Sequence, residues 1–211
     1  MNNRHKLAYI ATANIIENLF NDGNVDSASL ASFRNSKTMS DPHAEQVWPI
    51  IFAYTSNLYE RNKEKDGIDT IVKRGENSIF TALHCYAIYQ QGNQDVNTFA
   101  RLVINDDTDS KEQKGIPLFR ALNNLQTNNE NIRPALNKRV DTLLASTDPN
   151  KILDLLPKLV RILKSNLGEQ KPKIDFAQLA EDFNHLQIGY ESERQICIKW
   201  GREYFYSKDK L

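Results

Sequence analysis

Between Glu76 and Gly92 the chain reads ENSIFTALHCYAIYQQG, and the reading of this stretch decides the fold class. Ile79, Phe80, Leu83, Tyr86 and Ala87 recur at the three- and four-residue spacing of one helix face, and Gly92 stands where a helix would stop. The same period recurs on both sides. Toward the N-terminus it predicts a helix over Arg4–Asn21 closed by the turn Asn21-Asp22-Gly23, and a second over Ser27–Arg34 capped by Asp26. Ser40, Asp41 and Pro42 open a third, with Asp41 as cap, that carries Val47, Trp48, Ile51, Phe52 and Leu58 and frays into the charged stretch Glu60–Asp66.

Toward the C-terminus a shorter helix is predicted over Val96–Ile104, followed by the polar run NDDTDSKEQKG from Asn105 to Gly115. Beyond it, Leu118–Leu125, Ile132–Ala145, Lys151–Leu167, Phe176–Leu186 and Glu191–Tyr206 read as helices, with Pro157 expected to split or kink the third of them. No stretch alternates as a half-buried strand does. The expected fold is therefore all-α, with nine to ten helices in two small bundles, residues 1–105 and 116–211, joined by a polar linker at 106–115.

Composition narrows the function classes. The 211 residues balance 27 Lys and Arg against 27 Asp and Glu, and 40% are apolar, enough to bury a core. A chain so balanced is no polybasic nucleic-acid coat, and its mean hydropathy of −0.58 fits neither a membrane span nor a collapsed disordered tail. The N-terminal MNNRHKLAYIATANIIENLF reads as an amphipathic helix rather than a targeting peptide, so a cytoplasmic protein is expected. Cys85 and Cys197 form no CxxC pair and no Cys/His ligand spacing, which argues against structural zinc.

Catalytic signatures are missing as well. There is no phosphate-binding GxxxxGK[ST], no GxGxxG, no HExxH and no GxSxG. His84 and Cys85 are neighbours, yet adjacent helix positions point about 100° apart, so they read as a boundary histidine and a core thiol rather than a nucleophile pair. Asp106, Asp107 and Asp109 superficially suggest a calcium loop, but the glycine and glutamate such a loop requires are replaced by Ser110 and Ile116. No catalytic residue, metal or cofactor is expected.

Charge is unevenly distributed, and this is the one physical signal above background. Residues 111–173 hold twelve Lys and Arg against six Asp and Glu, while each of the other stretches, 1–66, 67–110 and 174–211, is slightly acidic. On the helix after Pro157, Leu156, Leu159, Val160 and Leu163 make a buried stripe. Lys158, Arg161 and Ser165 share the opposite face, with Lys164 at its margin: a row suited to phosphate. On the last helix Lys199, Arg202 and Tyr206 lie off the face of Ile196, Cys197, Trp200 and Tyr204. Arg139 falls beside the stripe Ile132, Leu136, Val140 and Leu143, where it could pair internally. Such charges also simply solvate the outside of a bundle, so two readings stand: a nucleic-acid contact surface, or a helical protein-protein adaptor with no nucleic-acid contact.

The closing segment IDFAQLAEDFNHLQIGYESERQICIKWGREYFY, Ile174 to Tyr206, resembles the C-terminal signature of the CasB family, the small subunit of type I-E CRISPR surveillance complexes (Cascade). Its opening Ile174-Asp175-Phe176 stands for the family's acidic-aromatic LDY or LDW, and Lys199 to Phe205 for its closing basic-Trp-Gly-Arg-acidic-aromatic run. Thr81–Asn93, Gly115–Leu125, the pair Asn137–Thr147 and Lys158–Asn166, and Leu30–Ser36 are similar to further family elements in the same order. Tyr89, Phe119, Asn35 and the charged stretch 60–75 depart from the pattern.

The resemblance implies a non-catalytic subunit, present in two copies, that contacts guide RNA and target DNA through their backbones. It sits beside other Cascade subunits and steadies the R-loop of target and displaced strands during antiviral defence, while base pairing with the guide reads the sequence. By motif correspondence Arg34, Arg120, Arg139 and Arg161 match arginine positions of the family, and Lys111, Lys114, Lys138, Lys158, Lys164 and Arg194 are the neighbouring basic candidates for nucleic-acid binding. No membrane partner is implied.

Overall fold

The computed structural model describes residues 7–62, 67–102, 114–168 and 171–206. Among these residues the regular structure is helical: α1 (Leu7–Phe20), α2 (Ser27–Asn35), α3 (Trp48–Asn62), α4 (Ile68–Gln90), α5 (Leu118–Asn128), α6 (Arg133–Leu144), α7 (Pro149–Asn166), α8 (Phe176–Leu186) and α9 (Tyr190–Tyr204). Short 3-10 turns at Asn21–Gly23 and Pro42–Val47 complete it, so the expected all-α class is borne out.

Local chemistry accounts for most boundaries. Asp26 caps α2 as expected: its carboxylate accepts from the Ser29 backbone N–H at 3.0 Å and the Ser29 hydroxyl at 2.7 Å, which hold it below the ordinary carboxylate range. Gly92 follows α4 at φ 87°, a conformation glycine adopts without strain. Asp148 caps α7 through the Asn150 N–H.

The chain divides into two compact units, one made of residues 1–97 with 176–184, the other of 98–175 with 185–211. This division runs differently from the partition expected at 106–115. Most of α8 belongs with the N-terminal unit, where Phe176 packs against Tyr86 and Tyr89 at 5.7 and 5.8 Å between ring centroids. Linker residues 106–113 lie outside the described residues, as does the aspartate run within them.

In the first unit α4 is the centre, with α1, α2 and α3 packed on it. From Ser78 to Gln90 every residue is buried, not only the face of Ile79, Phe80, Leu83, Tyr86 and Ala87. Its polar groups are consequently satisfied from within: Thr81 donates to the Asn77 carbonyl at 2.8 Å, and Gln90 donates to the Asn93 and Val96 carbonyls. His84 is a core histidine rather than a boundary one, 3% exposed, with Nδ1 2.6 Å from the Phe33 carbonyl oxygen. A carbonyl only accepts, so Nδ1 carries the proton.

In the second unit α5 packs on α9, α7 and α6, and α6 packs on α7 and α9. Its core is centred on Phe119 and Trp200, stacked at 4.8 Å and 18°. Three extended pieces meet beside these helices: Phe99 and Ile116 each form an isolated parallel bridge with Ile174, and the Leu102 N–H donates to the buried Asp175 carboxylate at 2.7 Å. Gly115 passes so close to Ala100 that a Cβ would sit 1.9 Å from its carbonyl oxygen, so only glycine fits.

Four expectations are corrected. Val96–Leu102 is not helical; Thr98 and Phe99 are buried there in extended backbone because Ile174 supplies the pairing that a helix would forgo. Asp41 does not cap the helix that follows: its carboxylate turns back to accept from the Lys37 and Thr38 N–H groups, and Pro42–Val47 forms a 3-10 turn before α3. α4 begins eight residues before Glu76, at Ile68. Of the split or kink expected at Pro157, the split does not occur: α7 runs through it from Pro149 to Asn166 with Pro157 itself buried.

Candidate nucleic-acid interface

α7 is amphipathic as its period predicts. Ile152, Leu156, Leu159, Val160 and Leu163 are buried, while Lys151, Asp154, Lys158, Arg161 and Ser165 follow one another at alternating three- and four-residue steps along the exposed side. Lys158 and Arg161 make no hydrogen bond or ion pair with any described residue, so both cations face solvent with their donors available. Lys164 is half-buried at the margin, as expected, and is engaged within the protein. Lys151 stands on the same side two turns before Lys158, with Asp154 between them. It escapes the sequence reading because that reading starts the helix at this very residue, whereas α7 begins at Pro149 and places Lys151 on the helical surface.

α6 packs on α7 and carries Lys138 and Arg139, both exposed. Arg139 pairs internally, but not with the apolar stripe beside it: its Nη1 donates to the Ala135 carbonyl of its own helix at 3.0 Å. Arg194 has a structural task, donating from Nη1 to the carbonyl of Leu144 at 2.8 Å and so closing the C-terminal end of α6, where a cation is electrostatically favoured. Beside it, burial pushes the Cys197 thiol up, offset in part by the Arg194 cation.

Arg120, on α5, is half-buried with its guanidinium 3.7 Å from the centroid of the Tyr206 ring. Lys114 is exposed just before α5 and is engaged within the protein. Arg34 is half-buried in the last turn of α2, in the first unit, and Lys111 lies outside the described residues. The structure thus brings Lys138, Arg139, Lys158, Arg161 and Lys164 onto two packed helices of the second unit, while Arg34 belongs to the first.

Among the described residues no three His, Cys, Asp or Glu side chains cluster as a metal site would require, and no helix is long and apolar enough to cross a membrane.

The sequence model for the CRISPR-associated protein Cse2 matches residues 29–205. The chain belongs to the Cse2 family. Two solved structures share its fold. CasB from Thermobifida fusca is 20% identical, covers 96% of this chain and 97% of its own, and has a TM-score of 0.66. A CRISPR-associated protein of the Cse2 family from Thermus thermophilus is also 20% identical, covers 93% and 97%, and has a TM-score of 0.56. No curated protein matches the chain. The resemblance to CasB drawn from five soft motifs is thereby borne out. In this Cse2 protein the closing motif also has a physical meaning: Trp200 stacks on Phe119, and the two buried rings fill the core of the second unit together.

Proposed function

We propose that this Cse2 protein is a non-catalytic small subunit of a type I-E Cascade ribonucleoprotein, where it contacts nucleic-acid backbone and steadies the R-loop of target and displaced strands. The observation that carries the reading is the Cse2 match across residues 29–205. The solvent-facing row of Lys158 and Arg161 on α7, with Lys138 on the packed α6, supplies what backbone contact requires: cations at helical spacing, outside the core and without side-chain partners among the described residues. The chain as a whole is neutral, so the row offers phosphate contact without a general attraction to every polyanion. Its partners are guide RNA, target DNA, the other Cascade subunits and a second copy of itself.

The experiment is co-expression of the tagged protein with the guide RNA and the other subunits from its own host. A stoichiometric complex containing RNA of one uniform short length is expected. Recovery of the protein without RNA and without those subunits overturns the reading. The internal engagement of Arg139 and Arg194 favours a second reading, an adaptor that binds protein alone. In that case a complex forms, but its affinity for target DNA is indifferent to the charge of α7.

A further inference from the structure

α5 presents Arg120, Asn123 and Gln126 at three-residue intervals, and all three hold the end of α9. The Arg120 guanidinium lies over the Tyr206 ring, the buried Asn123 amide donates to the Tyr206 carbonyl at 2.8 Å, and the Gln126 amide donates to the Tyr204 carbonyl at 3.3 Å. Tyr204 is buried and anchored by its hydroxyl on Asn137 Oδ1 at 2.6 Å, and Phe205 stands edge-on to it at 5.0 Å and 81°. These contacts fix the backbone of a segment whose next two rings face water: Phe205 is 56% exposed and Tyr206 47%. The buried Asn123 side chain thus anchors the backbone at the second of these rings.

The surroundings say what the rings suit. Arg202 is exposed in the last turn of α9, Ile198 is exposed one turn earlier, and Glu203 is half-buried. Two exposed aromatic rings, with the Arg120 guanidinium over one of them, match a nucleobase on its phosphate chain better than an aliphatic protein surface. A base stacks on the open ring face, and an arginine stacked by its own face keeps its N–H edge for a phosphate oxygen. Resting on the reading that this protein lies against nucleic acid, we propose that Phe205, Tyr206, Arg120 and Arg202 form a base-stacking site for single-stranded nucleic acid, separate in chemistry from the backbone-reading row on α7. Stacking is tolerant of sequence, so the site holds a displaced strand without selecting it.

The test uses the purified full chain with two labelled probes of equal length and charge, a short oligo-dT and an abasic oligonucleotide, titrated at low salt and followed by anisotropy. The wild-type protein is expected to bind oligo-dT at least about fivefold more tightly than the abasic probe. Tyr206→Ala and Phe205→Ala should each reduce that preference, while Tyr206→Phe keeps it. Equal binding of the two probes by the unaltered protein, or binding of neither, overturns the site, and that comparison does not depend on any variant folding. If the probes bind alike while reversing Lys158 and Arg161 still weakens target-DNA binding by the assembled complex, the stacking site is wrong and the proposed function stands. If the preference is present and depends on Tyr206 while that reversal is silent, the stacking site stands and the α7 row does not.

Discussion

Ser78–Gln90 of α4 and Leu156–Ser165 of α7 are both apolar-rich helical runs, with opposite surroundings. Every residue of the first is buried, and its polar groups bond inside the unit. In the second, Leu156, Leu159, Val160 and Leu163 are buried and Lys158, Arg161 and Ser165 are exposed. A helix enclosed on all sides has its side chains committed to packing, so it can organise a unit but cannot meet a macromolecule. A helix enclosed on one side keeps a second face for contact, and the charge on that face costs the fold little. The division of labour in this Cse2 protein therefore lies between helices that are all core and helices that are half core.

The largest expected effect tests the first half of that comparison. Phe80→Ala, at 1% exposure in α4, should lower stability by about 3–5 kcal/mol in chemical denaturation. A loss below about 1 kcal/mol would break the claim that α4 organises its unit. The contrast within α7 is the next test: Leu159→Ala should cost about 2–5 kcal/mol, whereas Lys158→Ala next to it should change stability by no more than about 0.5 kcal/mol. Similar losses for the two would mean that the helix has no spare face.

A smaller effect is expected at the edge of the first unit. Asp26→Ala removes the cap of α2 and should cost about 1 kcal/mol at neutral pH. The folded-state carboxyl is held below its ordinary value of 3.8, so its contribution is complete above that value and is lost as pH falls through the folded-state value. The gap between wild type and variant, followed by urea unfolding, should shrink below pH 3.8 and be constant above it. The smallest stability change belongs to the double variant Lys158→Glu with Arg161→Glu, expected within about 0.5 kcal/mol because both side chains are exposed and unpartnered among the described residues.

Period and punctuation make the helices legible, because an amphipathic face, a cap such as Asp26 and a stop such as Gly92 are local. The stripe of α7 and the exposed row opposite it are readable for the same reason. What escapes the sequence is non-local. Val96–Leu102 resembles a short helix until Ile174 arrives to pair with Phe99, and nothing near residue 99 announces that partner. The start of α4 is hidden by Gly75, whose cost in a helix of about 1 kcal/mol is overridden by contacts such as Thr55 to Glu76 and Arg74 to Asn184. The tasks of Arg120 and Arg194 are equally hidden, since a cation beside Tyr206 or on the Leu144 carbonyl looks, in sequence, like any surface arginine.

The central claim is that the exposed face of α7 touches nucleic acid. The most direct measurement is the affinity of the assembled guide-RNA complex for target DNA over a series of salt concentrations, with the wild-type subunit and with Lys158→Glu plus Arg161→Glu. The predicted result is a loss of about tenfold or more at fixed salt, with the slope of log affinity against log salt less steep by about two. Unchanged affinity and slope in a complex that still contains the variant subunit would contradict it.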